Sequence, residues 1–251
     1  MKQSKPRNKR PIRGQKWARA VLLAALSLAA CSPQPPQKNN KVLNVADAAI
    51  AGGNPTIALQ VSQSVLASDP HNLEALYHEA AAYYAVNRCE DALAAYRLAL
   101  SQSPQSSAAQ TGIGRCLLRR NAAEAQAAFT AAVQDDPQNA AALNDLGIAL
   151  DLQGKFAAAT QPYKQSLLVA PGTLSTEVNL GLSLALSGDS ADALQYLGPL
   201  ATSPQATPKI REDYAIALLA AGRHDEALQI LDLDLSDTQA TALLTAVARA
   251  L

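Results

Sequence analysis

The sequence predicts an all-α chain wound as a superhelix of about six helix–turn–helix units, closed by a C-terminal helix. Three observations predict it. Prolines fall at Pro70, Pro104, Pro137, Pro171 and Pro204, giving successive spacings of 34, 33, 34 and 33 residues. A small residue keeps step with them at Ala58, Ala92, Ala125, Ala159, Ala193 and Ala227. Hydrophobic residues make up 49% of the chain but aromatics only 4%, a composition suited to helices whose backbones approach closely. A fixed period of this size marks stacked repeats, because a single unit cannot bury its own apolar faces.

The clearest unit runs from Ala140 to Pro171, AAALNDLGIALDLQGKFAAATQPYKQSLLVAP. Its landmarks are Leu143, Leu146, Gly147, Leu150, Gly154, Ala159, Tyr163 and Pro171. Gly147 and Ala159 let two antiparallel helices cross closely, and the large residues around them fill the space on either side. Gly154 suits a tight link that needs positive φ, and Pro171 ends the second helix because it has no N–H to donate. This pattern resembles the tetratricopeptide repeat, a helix–turn–helix unit of about 34 residues. The resemblance implies a right-handed tetratricopeptide-repeat superhelix over 41–235, with units at 41–70, 73–104, 107–137, 140–171, 174–204 and 208–235.

The chain in order begins with a leader. Residues 1–30 hold eight of the 21 Lys and Arg and no acid, so the zero formal charge of the whole is misleading. From Cys31 onward 13 basic residues face 21 acidic ones, a net of −8. An acidic body of this kind excludes nucleic acid as partner, since phosphates require clustered Lys and Arg. The basic start is followed by an apolar run, Ala20–Ala30, shorter than the roughly 20 residues that span a bilayer. A basic start, a short apolar run and small residues at its end describe a secretory signal peptide over 1–30. The ending Leu28-Ala29-Ala30-Cys31 resembles a bacterial lipobox, which implies that Cys31 becomes the acylated N-terminus; the alternative is an ordinary signal peptide with a chance cysteine. Ser32 in place of Asp then points to the outer membrane, with the body facing the periplasm. Residues 31–40 read as the lipidated cysteine and a polar, proline-bearing tether.

Unit one links its helices through Gly52-Gly53-Asn54-Pro55. Cys89 falls in the turn of unit two and Cys116 in the first helix of unit three, neighbours when repeats stack. In an oxidising compartment the pair is expected to form a disulfide, with two separately buried thiols as the alternative. Unit three is one residue short in its turn, where Asn121 and Glu124 make a capping-box pattern. Pro162 and Pro199 fall inside the second helices of units four and five and are read as shaping curvature. Thr207-Pro208 opens unit six as N-cap and first helical residue. A last helix over 236–251 starts at Ser236-x-x-Gln239 and covers the open end of the stack.

No catalytic residues are expected. His71, His78 and His224 lack metal-ligand spacing with another His, Cys or acid, so no metal, cofactor or small-molecule substrate is expected either. Gly112-x-Gly114 lacks the strand a phosphate-binding loop needs. Binding is what remains. Tetratricopeptide stacks present the first helix of each unit along a concave groove. Here the N-terminal half offers Tyr77, Tyr84, Arg115, Leu118 and Arg119. The C-terminal half offers Asn144, Asp145, Ile148, Asp151, Leu152, Asn179, Leu182, Leu186, Asp213 and Ile216. Ile148, Leu182 and Ile216 share one position in successive units and form an apolar floor for a helix or extended peptide. The alternative occupant of that floor is the C-terminal helix or a second copy.

A lipobox followed by such repeats resembles TadD, the tetratricopeptide lipoprotein of Flp-type (tight adherence) pilus machines. The likeness rests on NAAALNDLGIALDLQGK (139–155), VNLGLSLALSG (178–188), PLATSPQATPKIR (199–211) and RCLLRR (115–120). It implies a non-catalytic periplasmic assembly factor whose partner is an outer-membrane secretin or another pilus-assembly component. Other repeat lipoproteins stay open: a type IV pilus pilotin, a barrel-assembly factor or a scaffold for cell-wall hydrolases.

Overall fold

The structure, a computed structural model, describes residues 38–249, and every regular element in them is an α-helix. Six pairs follow one another: α1 (Lys38–Ala51) with α2 (Pro55–Ser68), α3 (Leu73–Ala85) with α4 (Cys89–Gln102), and α5 (Ser107–Leu117) with α6 (Ala122–Asp135). Then come α7 (Ala140–Asp151) with α8 (Phe156–Val169), α9 (Leu174–Leu186) with α10 (Ser190–Ala201), and α11 (Pro208–Ala220) with α12 (His224–Leu231). The final helix is α13 (Asp237–Ala248). The expected signal peptide and the acylation site Cys31 lie outside the described residues. The first helix starts at Lys38, three residues earlier than the sequence pattern suggests, so part of the expected tether is helical.

Five of the six intra-pair turns share one geometry. A residue with positive φ (Gly53, Asn87, Gly154, Gly188 or Gly222) precedes the first residue of the turn into the second helix. The following amide reaches back five residues: Arg88 N–H to Tyr83 O at 2.8 Å, Lys155 to Leu150 at 3.0 Å, Arg223 to Leu218 at 2.8 Å. These are Schellman closures, which satisfy the carbonyls left over at a helix end. Unit three, one residue short, has no left-handed residue. There the Asn121 side chain accepts from the backbone amides of Ala123 and Glu124 at 3.1 and 3.2 Å, and its Nδ2 donates to Glu124 Oε1 at 2.7 Å. Between pairs, Asn72, Ser106, Asn139 and Thr207 cap α3, α5, α7 and α11 through their side chains. Each such cap is worth about 1 kcal/mol.

Packing follows the small-residue ladder. All six repeat alanines from Ala58 to Ala227 are fully buried. Where a first helix meets its own second helix, a glycine faces a large side chain: Gly114 faces Phe129, Gly147 faces Tyr163, Gly181 faces Leu197. First helices also touch each other along the chain, from α1·α3 to α11·α13, whereas the second helices make no such contacts among the described residues. An array that touches along one edge only must curve, so the first helices form the inner side. Pro162 is buried within α8 and Pro199 exposed within α10, both inside their helices as the sequence indicates.

The last helix packs on α11 and α12 and does not lie across the inner face of α7 and α9. Gln239 Oε1 accepts from the Ser236 amide at 3.1 Å and from its hydroxyl at 2.9 Å, fixing the start of α13. Its outward residues Thr241, Ala242, Thr245 and Ala246 are exposed. Small and polar, they close the stack at this end.

Candidate functional site: the inner face

The first helices form the inner side, and the structure divides the sequence-predicted groove residues into three groups. The first group bonds neighbouring units together. Arg115 of α5 donates its Nε–H to Asp145 of α7 at 2.5 Å. The other oxygen of Asp145 accepts from Asn144 Nδ2 at 3.2 Å. Asn144 Oδ1 in turn accepts from Thr176 Oγ1 and Asn179 Nδ2 of α9, both at 3.2 Å. One polar chain therefore runs across three repeats. Arg115, Asn144, Asp145 and Thr176 of this chain line a cavity of about 250 Å³ together with Ser166 and Ser175. Tyr77 belongs to this group too: its hydroxyl donates to Ser106 Oγ at 2.6 Å, joining unit two to the cap of unit three.

The second group is buried rather than groove-lining, which corrects the sequence expectation. Asp145 is 7% exposed and Asp213 only 1%. Asp213 is bonded by Lys209, one turn back on the same helix. Burial pushes its carboxyl above the ordinary carboxylate value, and Lys209 opposes that shift. Asp151 is half-buried and spoken for, accepting from the Tyr163 hydroxyl at 2.7 Å and from Ser183 of α9. Burial raises its carboxyl as well, with the two hydroxyl donors acting against the shift. Asp145 and Asp151 tie neighbouring helices together, while Asp213 is held within its own helix. Tyr163 is itself raised by burial, and beyond that by the Asp151 charge.

The third group remains available. Ile148, Leu182, Leu186 and Ile216 are half-buried, while Leu152 and Tyr84 are exposed. Ile148 packs against the core of units four and five and so has a structural share. Leu118 is half-buried and Arg119 exposed at the end of unit three. The arrangement is an apolar row bordered by a satisfied polar chain. It can hold an apolar side chain and orient a backbone, but it positions no nucleophile or acid–base pair. Among the described residues no group of three or more His, Cys, Asp or Glu gathers as a metal site.

The cysteines come together as the stacking geometry requires, yet as thiols. Cys116 is buried, Cys89 half-buried, and both belong to the cluster around Tyr96. The expected disulfide is not formed in the structure. Burial first, and the neighbouring Cys89 second, hold the Cys116 thiol well above the usual thiol range. Tyr96 beside it is pushed up to about 12 by burial.

Sequence reasoning missed Thr176 and Ser183, which cross-link α9 to α7. Both sit at positions where a generic repeat accepts many residues, so nothing in the spacing singles them out. It also missed the partner of His78 in α3, whose Nδ1 lies 3.3 Å from Asp47 of α1. No helix of the described residues is long and apolar enough to cross a membrane.

Comparison with known proteins agrees with this architecture. Two tetratricopeptide-repeat sequence profiles match, one over residues 49–116 and the other over 119–171 and 178–240. Among curated proteins, FK506-binding protein-like from Mus musculus is 29% identical over 93 residues; the match covers 37% of this chain and spans 27% of that protein's length. Among solved structures, PilW, described as a widely conserved type IV pilus biogenesis factor, superimposes with a TM-score of 0.70. It is 24% identical, with 83% of this chain and 100% of that one covered. PilF of Pseudomonas aeruginosa gives 0.66 at 18% identity, covering 76% and 88%. YrrB, described as a repeat protein with an unusual peptide-binding site, gives 0.62 at 18% identity, covering 76% and 98%.

Proposed function

We propose, for a chain that belongs to the tetratricopeptide-repeat family, that it is a non-catalytic scaffold of a pilus-assembly machine of the Flp (tight adherence) type. In this reading acylated Cys31 holds it in the outer membrane with the repeats facing the periplasm. Its inner face receives an apolar segment of the secretin. The observation that carries the reading is the row Ile148, Leu182 and Ile216, half-buried at one position in three successive units. A side chain needed only for the core of its unit would be fully buried, as Leu143, Leu180 and Leu218 are. An apolar segment laid on the row would remove its remaining surface from water, a gain of about 25 cal/mol per Å². The polar chain beside it supplies direction: Asn179 Oδ1 and the terminal N–H groups of Arg115 suit a partner's backbone amides and carbonyls.

The same inner face would serve a type IV pilus pilotin, a reading favoured by the likeness in fold to PilW and PilF. One experiment separates the two. The lipidated protein is purified from detergent-solubilised outer membranes, and the secretin that accompanies it is identified. Loss of the protein should lower heat-resistant multimers of that secretin, and Cys31→Ser should release the protein from the membrane pellet. If multimers persist unchanged without it and no secretin accompanies it, the reading is wrong.

A further inference from the structure

The two ends of the stack differ. At the C-terminal end α13 turns a small, polar face outward. At the N-terminal end no helix covers α1 and α2 among the described residues, because α1 contacts only α2 and α3. The side chains left there include three large apolar ones among polar residues such as Asn44, Gln60 and Ser64. Val42 is 43% exposed, Val45 51% and Ile57 47%. Val42 and Val45 lie three apart, hence on one face of α1. Asp47, which meets His78 in the next unit, lies two residues beyond Val45 and so on nearly the opposite side of the helix. Similarly, Gln63 of α2 reaches Tyr83 of α3 at 3.1 Å, whereas Ile57 is rotated away from that side. All three apolar residues therefore look out of the stack.

We infer that this open end rests on the lipid bilayer, with Val42, Val45 and Ile57 entering the boundary between headgroups and acyl chains. The inference rests on the reading that Cys31 is acylated. Two further observations select lipid as the occupant. Only six residues separate Cys31 from Lys38, where α1 begins. Even fully extended, that link spans roughly 25 Å, so the first repeat is the part of the body confined nearest the membrane. The charge agrees. From Cys31 to Ala46 the sequence holds Lys38 and Lys41 and no acid, whereas Asp47 onward holds 11 basic and 21 acidic residues. Basic residues are drawn to anionic headgroups, while the acidic remainder is repelled. The lipid anchor and the apolar end would act as two signals, and the solenoid would stand end-on, its inner face open along its side to a partner.

The test uses the absence of tryptophan after Trp17. The full chain is produced in a bacterial host that acylates lipoproteins and is reconstituted into phosphatidylethanolamine–phosphatidylglycerol vesicles as Val45→Trp or, at the other end, Thr245→Trp. The Val45→Trp emission should shift to the blue by several nanometres on reconstitution and be quenched by brominated acyl chains, with Thr245→Trp unaffected. In the Cys31→Ser background neither residue should respond to vesicles. Failure of the two readings is distinguishable. If the lipidated protein floats with vesicles but Val45→Trp stays open to acrylamide, the docking is wrong and the anchor stands. If the protein does not float, both are wrong. If Val45→Trp is blue-shifted without vesicles in a concentration-dependent way, a second copy covers this face and the docking is again refuted.

Discussion

Replacing Gly147 with alanine adds one methyl group to α7, a change that stabilises an open helix by about 1 kcal/mol. Here the sign should reverse. A Cβ on Gly147 would lie 2.5 Å from Cε1 and Cζ of Tyr163 and 2.7 Å from Cδ1. The ring is fully buried, and its hydroxyl is held by Asp151 at 2.7 Å, so it cannot turn away without giving up that bond. Overpacking of this kind costs roughly 1–3 kcal/mol, and losing a hydrogen bond to a charged acceptor adds about 1.5–3 kcal/mol. Set against the propensity gain, Gly147→Ala should destabilise by about 1.5–5 kcal/mol. At about 2–4 °C per kcal/mol for a chain of this size, the Tm should fall by roughly 3–20 °C. Thermal melts followed by circular dichroism at 222 nm read this directly, and Gly147→Leu should lose more. In a Tyr163→Ala background, with the ring gone, Gly147→Ala should become neutral or stabilising. A Gly147→Ala protein that melts at or above the wild-type temperature in the native background would refute the packing of α7 on α8.

Gly188→Ala should cost about 1–2 kcal/mol from backbone strain alone, since φ is +95° and a Cβ there meets nothing within 4 Å. Gly188→Asn should cost less, because Asn87 occupies the equivalent turn at φ 60°; melts of the two variants give the order. Asp151 offers a pH test: its carboxyl is raised in the fold, so the native state holds more protons than the unfolded one just above the ordinary Asp value of about 3.9. The stability tied to this group is thus fully present at low pH and lost as pH rises through the raised value. Tm measured from pH 4 to 7 should fall more steeply for wild type than for Asp151→Asn, and parallel curves would contradict the assignment. In the reduced folded protein, iodoacetamide near pH 8 should alkylate Cys89 well before Cys116, whose thiol burial keeps protonated. Equal rates by peptide mass mapping would show that Cys116 is accessible.

The six units were legible because their cause is local. A proline without an N–H, an alanine at a helix crossing and a glycine opposite a large ring recur at fixed offsets, whatever surrounds them. The turn at Gly154 was legible for the same reason. Asn87 was less so: asparagine takes positive φ more readily than other side-chain-bearing residues, and here the Schellman closure from Arg88 to Tyr83 holds it there. The start of α1 was misplaced because Lys38, Asn39 and Asn40 carry no apolar period in the sequence. The inner-face register was legible, but the fate of its acids was not. Asp145 is buried because Arg115 arrives from a helix 30 residues away, and Asp213 because Lys209 folds over it. The first pairing is decided between units and the second within one helix, while the repeat pattern fixes positions and not partners. The meeting of Cys89 with Cys116 followed from stacking order, yet spacing carries no information about oxidation.

Leu182→Glu tests the central claim most directly. The side chain is half-buried in the free protein and lies in the middle of the apolar row, so the fold should tolerate the change at a cost of about 1 kcal/mol or less. A bound apolar segment would not tolerate it, because burying an unpaired carboxylate costs several kcal/mol and each 1.4 kcal/mol is tenfold in affinity. The measurement is the affinity of the purified variant for the co-purifying secretin, with its melt recorded alongside. The predicted result is a near wild-type melt with affinity lowered at least about 100-fold. A variant that melts like wild type and still binds the secretin with wild-type affinity would contradict the assignment of the inner face as the working surface.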